Sequence, residues 1–191
     1  MIDRDKLAEM INKPKTPINT NIKKENDVEK EELNLIKYNH SFSEKIKKLT
    51  EQAFQFFNER KHKEIYEVFL KAKTYEKKSK ENHVSFHFFC ISIAHYLHAL
   101  SSFSAEADDF ALEVCKYDFE MLPNYKFNHA TAFPTATILC IILTNKKEYK
   151  KVLDYCDFFI QNNINETYGT SFEKRKERIE KKSLSLGVDK L

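Results

Sequence analysis

Glycine is almost missing from this chain of 191 residues, which contains only Gly169 and Gly187. Average usage would give about 13. Both glycines lie near the C-terminal end, so the sequence has no glycine-rich loop that could cradle a phosphate and no glycine turn around a nucleophilic serine. The lack also disfavours sheets joined by tight hairpin turns. With no tryptophan and only 4 prolines, this composition predicts an all-α protein and argues against an enzyme.

Neither sign of charge dominates, because 32 Lys and Arg stand against 29 Asp and Glu. A net charge of +3 is too small to predict a nucleic-acid partner or an anionic membrane surface. The longest apolar run, Ala136–Leu143, has 8 residues, whereas a membrane span needs about 20. The first residues, Met1–Leu7, do not have the pattern of a secretory signal. We therefore expect a cytoplasmic protein without stable membrane insertion.

The four cysteines are not spaced like metal ligands. None forms a CxxC pair, and each has apolar neighbours in the sequence: Cys90, Cys115, Cys140 and Cys156. This pattern predicts buried, reduced thiols, with a disulfide framework or a zinc site as the alternatives.

Residues 1–40 differ in composition from the remainder of the chain. They contain Pro14, Pro17 and six asparagines, and their eight basic and eight acidic side chains cancel. We predict a flexible N-terminal arm here, with a short helix over Asp3–Ile11 and a polar linker over Thr16–Asp27.

Residues 41–185 have the apolar periodicity of helices and are predicted to form one helical domain. Ser43 is the predicted N-cap of its first helix. Three helix pairs follow, at about 43–72, 82–122 and 132–161. A last helix, at about 171–183, contains six Lys or Arg and three Glu, which is typical of a solvated capping helix.

The three helix pairs also match one another in register. A small residue recurs in the first helix of each pair, at Ala53, Ala94 and Cys140. In the first pair it is followed, at the spacings of a tetratricopeptide repeat, by Ile65, Phe69 and Ala72. The second pair fits only with about five extra residues around Ser101–Ser104, and Phe159 is too large for its position in the third. The chain thus resembles a tetratricopeptide-repeat protein over roughly residues 43–164, which implies a short α-solenoid of about three helix pairs; a plain helical bundle is the alternative.

In this repeat family the first helix of each pair lines a concave groove. The resemblance therefore implies a peptide-binding groove of aromatic, aliphatic and amide side chains: Phe54, Phe57, Asn58, Phe88, Ile91, His95, His98, Ile141 and Asn145. Such a surface suits an extended apolar segment of a partner protein, whose backbone the asparagines can bond. In the alternative interpretation the aromatic residues are ordinary core, covered by residues 1–40 of the same chain.

Four histidines, His83, His87, His95 and His98, recur on one predicted helix face. The first two have metal-ligand spacing, but no carboxylate accompanies them on that face. We expect structural or groove-lining histidines, with a metal site as the alternative. No nucleophile and base are paired, so we predict no catalytic residues, no bound metal and no cofactor.

The layout of the chain is similar to that of bacterial type III secretion chaperones for translocators. The nearest stretch is Ala53–Phe69, AFQFFNERKHKEIYEVF, which resembles the first repeat of that family. The resemblance implies a cytoplasmic chaperone that holds the N-terminal segment of a pore-forming partner, and a homodimer through the N-terminal helix. A regulator or immunity-type adaptor that binds a folded protein is the alternative function, and genomic neighbours would distinguish the two.

Overall fold

The computed structural model describes residues 25–76, 84–122, 133–167 and 171–185, with side chains from residue 42 onward. Seven α-helices fill most of this part of the chain, which contains no strand, so the predicted all-α class is confirmed. The helices are α1 (Glu25–Asn58), α2 (His62–Glu76), α3 (Val84–Ala99), α4 (Ala105–Glu120), α5 (Pro134–Asn145), α6 (Tyr149–Gln161) and α7 (Phe172–Ser185).

Helix α1 is longer than the sequence pattern predicts. It begins at Glu25 and contains neither proline nor glycine, so nothing in its sequence stops it before Asn58. The predicted N-cap at Ser43 is therefore wrong, because Ser43 lies inside the helix. The predicted boundary between residues 40 and 41 also falls within α1, whereas the predicted helix at Asp3–Ile11 lies outside the described residues. The predicted linker lies outside them as well, apart from its last three residues, which are helical.

The helices form three consecutive hairpins, α1–α2, α3–α4 and α5–α6, and α7 packs on α6. Each helix also contacts the next along the chain, and further contacts join α1 to α3, α3 to α5 and α2 to α4. Helices α1 and α3 are parallel. Ser43, in the middle of α1, contacts Ser85 at the start of α3 at 3.4 Å, and the rings of Phe57 and Tyr96, near the ends of the two helices, lie 5.0 Å apart. We call α1, α3 and α5 the first helices, and α2, α4 and α6 the second helices.

The small residues of the repeat pattern lie in the core. Ala53, Ala94 and Cys140 are all fully buried, as expected where close packing leaves no room for a larger side chain. Phe159 is also fully buried. Its ring lies 4.7 Å from the ring of Phe172, so helix α7 accommodates the residue that is too large for the repeat pattern.

The first and third hairpins have the same turn. Each turn has three residues, and its middle residue, Arg60 or Lys147, has a positive φ, of 58° and 60° respectively. In both turns the next backbone N–H donates a hydrogen bond of 2.9 Å to the carbonyl five residues earlier, which is the helix-ending pattern that usually uses glycine. Both residues follow the buried small residue of their hairpin by seven positions.

The second turn, residues 100–104, is two residues longer than the other two. The turn therefore contains two of the about five extra residues predicted around Ser101–Ser104. The prediction aligned Ala111 with Ile65 of the first pair, and Ala107, one turn earlier, is also fully buried. Helix α4 therefore has an additional buried turn at its start.

All four cysteines are buried and free, as predicted. Burial is the main cause that raises the pKa of Cys90 and Cys115 well above the usual value, so both thiols are protonated at neutral pH. In the described ranges, no helix combines the length and the apolar character that crossing a membrane requires.

Candidate binding face of the first helices

Charge is distributed unequally between α3 and α5 on one side and the second helices on the other. Helices α3 and α5 contain no Asp, Glu, Lys or Arg, whereas α2, α4 and α6 contain six, seven and four such residues. A helix that is apolar on every side is normally buried on every side. Helix α3 is not, because it leaves a stripe of side chains open to solvent.

The open stripe of α3 runs along its whole length. None of its members is fully buried: Val84, Ser85, Phe88, Ile91, Ser92, His95, Tyr96 and Ala99. Phe88 is 61% exposed, and Phe54 on the neighbouring helix α1 is 49% exposed. We call the open sides of α1, α3 and α5 the groove face.

Three aromatic rings of the groove face lie together where α1 and α3 end. The ring of Tyr96 stacks on that of Phe57 at 5.0 Å and lies 6.0 Å from that of Phe54. The repeat pattern did not predict Tyr96 as a site residue. Helical periodicity does contain the signal, because Tyr96 follows Ser85 by three turns and therefore faces α1 as Ser85 does.

The nine predicted groove residues all lie outside the fully buried core. Phe54, Asn58, Phe88 and Asn145 are exposed, and the others are partly buried. His98 differs from the rest, because its Nδ1 lies 2.8 Å from Oδ1 of Asp108 at the start of α4. Its ring is thus held by the second helix of its own hairpin.

His95 lies partly buried on the open stripe. Burial, and then the charge of nearby His98, lower its pKa below the usual 6.5. Its ring is therefore neutral at pH 7.

His87 is fully buried and does not line the groove. Its Nδ1 lies 2.9 and 3.0 Å from the carboxylate oxygens of Asp118 on α4, and the Thr135 hydroxyl of α5 donates to the same carboxylate at 2.7 Å. The Thr135 hydroxyl thus bonds Asp118 and not the imidazole of His87, and all three side chains are inaccessible to solvent. This arrangement fits a structural link between three helices. It does not fit a nucleophile paired with its base. Sequence reasoning missed this link because the carboxylate comes from another helix. His83 lies outside the described residues.

Only the second half of α5 is open on the groove face. Its first half is covered by the chain that follows α6: the Thr167 backbone N–H donates to the Thr137 hydroxyl at 3.3 Å, and the Phe133 N–H donates to the Asn165 carbonyl at 3.4 Å. Thr137 is fully buried as a result. The open part of α5 is therefore its C-terminal end, where Ile141 and Asn145 lie.

The second helices form a small cleft of about 140 Å³ between α4 and α6. It is lined by Lys116, Phe119, Glu120, Tyr155 and Phe158. Pockets for small molecules usually have about 300–1,000 Å³, so this cleft is too small for one. Within the described ranges, no three His, Cys, Asp or Glu side chains are placed to hold a metal ion.

Comparisons of the chain with protein-family models, with curated proteins and with solved structures gave no significant match. Its function therefore has to be inferred from the geometry and chemistry of its own residues.

Proposed function

We propose that the protein is a non-enzymatic binding module that holds an extended apolar segment of a partner protein against the groove face. The observation that carries this proposal is the open, charge-free stripe of α3, on which Phe88 is exposed and Tyr96 forms an aromatic cluster with Phe54 and Phe57 of α1. Contiguous apolar surface of this kind marks interaction sites in proteins.

A short tetratricopeptide-like solenoid is the architecture that we propose for this module. Three observations support it. The helices α1 and α3 are parallel, the first helices contact one another in chain order, and the same positive-φ turn recurs seven residues after Ala53 and Cys140. Repeated hairpins that contact their neighbours in sequence are the defining feature of solenoids.

The polar groups of the groove face favour an extended partner backbone. The Ser92 hydroxyl donates to the Phe88 carbonyl and the Thr144 hydroxyl to the Cys140 carbonyl, so both are already bonded within their own helices. The exposed amides of Asn58 and Asn145 can each donate and accept. An extended segment, whose backbone groups lack internal partners, is the ligand that such amides fit.

A secretion chaperone is a more specific form of this proposal. It rests on the similarity in layout and in the stretch Ala53–Phe69 alone, and it would make the bound segment the N-terminal part of a pore-forming partner.

Binding of short peptides tests the general proposal directly. A phage-displayed library built only from uncharged residue types is selected on the immobilised protein, and the recovered peptides are labelled for fluorescence anisotropy. Phe54→Ala or Phe88→Ala should raise the dissociation constant about 30-fold, as loss of an anchor worth about 2 kcal/mol does.

The matched controls are Leu70→Ala on α2 and Leu184→Ala on α7, which remove exposed apolar side chains outside the groove face. Neither should change the dissociation constant. Equal losses from all four variants, or no peptide above background, would overturn the proposal.

A further inference from the structure

One cation lies on the groove side of α1. The residues of α1 that share this side lie beside the buried stripe of the same helix: Ser43, Lys47, Thr50, Phe54, Phe57 and Asn58. Lys47 is the one ionisable side chain among them, and it is exposed.

Lys47 lies at the same level as Phe88. Ser43 and Ser85 are in contact, and one turn further along their parallel helices come Lys47 and Phe88. Phe54 follows Lys47 by seven residues, which is about 10 Å along a helix. The cation and the aromatic cluster of Phe54, Phe57 and Tyr96 thus stand at two points of one open surface.

No carboxylate in the described residues forms an ion pair with Lys47. Lysines elsewhere in the protein do have acidic partners, as Lys63 of α2 has in Glu106 and Lys146 after α5 has in Asp109. On its own helix Glu44 and Glu51 lie about one turn from Lys47, and no ion pair joins Lys47 to either of them in the described residues. The neighbouring first helices cannot supply a partner, because α3 and α5 contain no acidic residue. The charge of Lys47 therefore remains available to a ligand on the groove face.

We propose that Lys47 selects a segment that contains an acidic side chain, Asp or Glu, close to its apolar anchor. This inference rests on the proposed function, since it concerns the same bound segment. An extended chain advances about 3.3 Å per residue, so the acid lies about three residues from the side chain that packs on Phe54, Phe57 and Tyr96. A basic residue at that point would face Lys47 with no carboxylate of the groove face to pair with it, so the site discriminates by repulsion as well as by attraction.

The test uses the uncharged peptide selected above as the parent. Versions with Glu, Gln or Lys at each position two to four residues from its anchor are compared by fluorescence anisotropy at low and at high salt. We expect the Glu version to bind about three- to tenfold more tightly than the Lys version at the best position, with a smaller ratio at high salt.

Lys47→Glu should reverse that order, so that the Lys peptide binds more tightly than the Glu peptide. The matched control is Lys48→Glu, which makes the same change of charge at the next exposed position, outside the groove side of α1. It should leave the order unchanged.

Equal binding of the Glu and Lys peptides to the unaltered protein would overturn the inference, and so would a reversal of equal size in Lys48→Glu, which would show a general effect of net charge. In both cases the parent peptide still binds and the proposed function stands. Failure of the parent peptide to bind would instead remove the proposed function, and the inference with it.

Discussion

The first and second helices of the hairpins contribute to one core but present different surfaces to solvent. The second helices alternate buried apolar residues with charged ones: α2 buries Ile65 and Phe69 and exposes Lys71. Helix α3 has no Asp, Glu, Lys or Arg on either side, and its buried Phe86 and exposed Phe88 lie two residues apart.

This difference shows that folding alone does not explain why α3 contains no charged residue. An amphipathic helix is enough to build the core, as the second helices demonstrate, and exposed aromatic side chains add little to stability. Where a natural sequence departs locally from the pattern that suffices for folding, here the amphipathic helix, the departure usually marks a functional site. The departure in this chain is confined to the helices that line the groove face, and the predictions below test that separation.

The largest expected effect distinguishes the two sides of α3. Phe86→Ala removes a fully buried ring and should lower the free energy of unfolding by about 3–5 kcal/mol. Phe88→Ala, two residues away on the open side, should change it by about 0.5 kcal/mol or less. Denaturant titrations of both variants measure this contrast. Similar losses in the two variants would mean that Phe88 is ordinary core and that the groove face does not exist as described.

The next effect concerns the close approach of the two helices in a hairpin. Ala94→Leu places a large side chain at a fully buried position and should cost about 1–3 kcal/mol through overpacking. Ala99→Leu is the matched control, because Ala99 is exposed on the same helix, and it should be nearly neutral. If Ala94→Leu is tolerated as well as the control, the second hairpin is not packed around a small residue.

The sequence predicts which helices form better than it predicts the residues at which they begin and end. The helices α3 to α7 lie within a few residues of their predicted ranges, because their apolar periodicity is strong, Pro123 follows α4 and Pro134 is the first residue of α5. The start of α1 was missed because Ser43 is a good N-cap residue by type. Nothing local distinguishes a serine that begins a helix from one that lies on its surface.

The side chains of the groove face were predictable by helix and by side, but their individual contacts were not. The repeat register placed Phe54 and Phe88 on the open side, where they lie. It could not reveal that His98 pairs with Asp108 or that His87 is buried against Asp118. Those contacts depend on how α4 packs against α3, and one sequence does not contain that packing.

A smaller effect is expected at the turn where a first helix gives way to a second helix. Lys147 has a φ of 60°, a conformation that a side chain with a Cβ adopts at a cost and glycine adopts freely. Lys147→Gly should therefore raise the free energy of unfolding by about 0.5 kcal/mol, the relief of strain being partly offset by the greater freedom of glycine in the unfolded chain.

The control for this turn is Lys146→Gly, one residue earlier. Lys146 has a φ of −75°, so glycine offers no relief there and should lower stability by about 0.5–1 kcal/mol. Thermal unfolding of both variants measures the pair. Stabilisation by neither substitution, or by both, would show that the conformation of Lys147 is not strained.

The smallest expected effect concerns the protonation of His95 on the groove face. Burial, and to a lesser degree the charge of His98, lower the pKa of His95 in the folded protein. The unfolded chain then binds a proton at His95 more readily than the folded protein does. The contribution of His95 to stability is thus complete above the unfolded pKa of about 6.5, falls as the pH drops through the window below it, and changes no further once the pH is under the folded pKa.

A titration of the imidazole signals by NMR should give His95 a midpoint below 6.5. In His98→Gln the midpoint should rise and still stay below 6.5, because burial remains after the repulsion is removed. A midpoint of His95 at or above 6.5 in the unaltered protein would mean that its ring is solvated or paired with an acid, and that burial does not favour its neutral form.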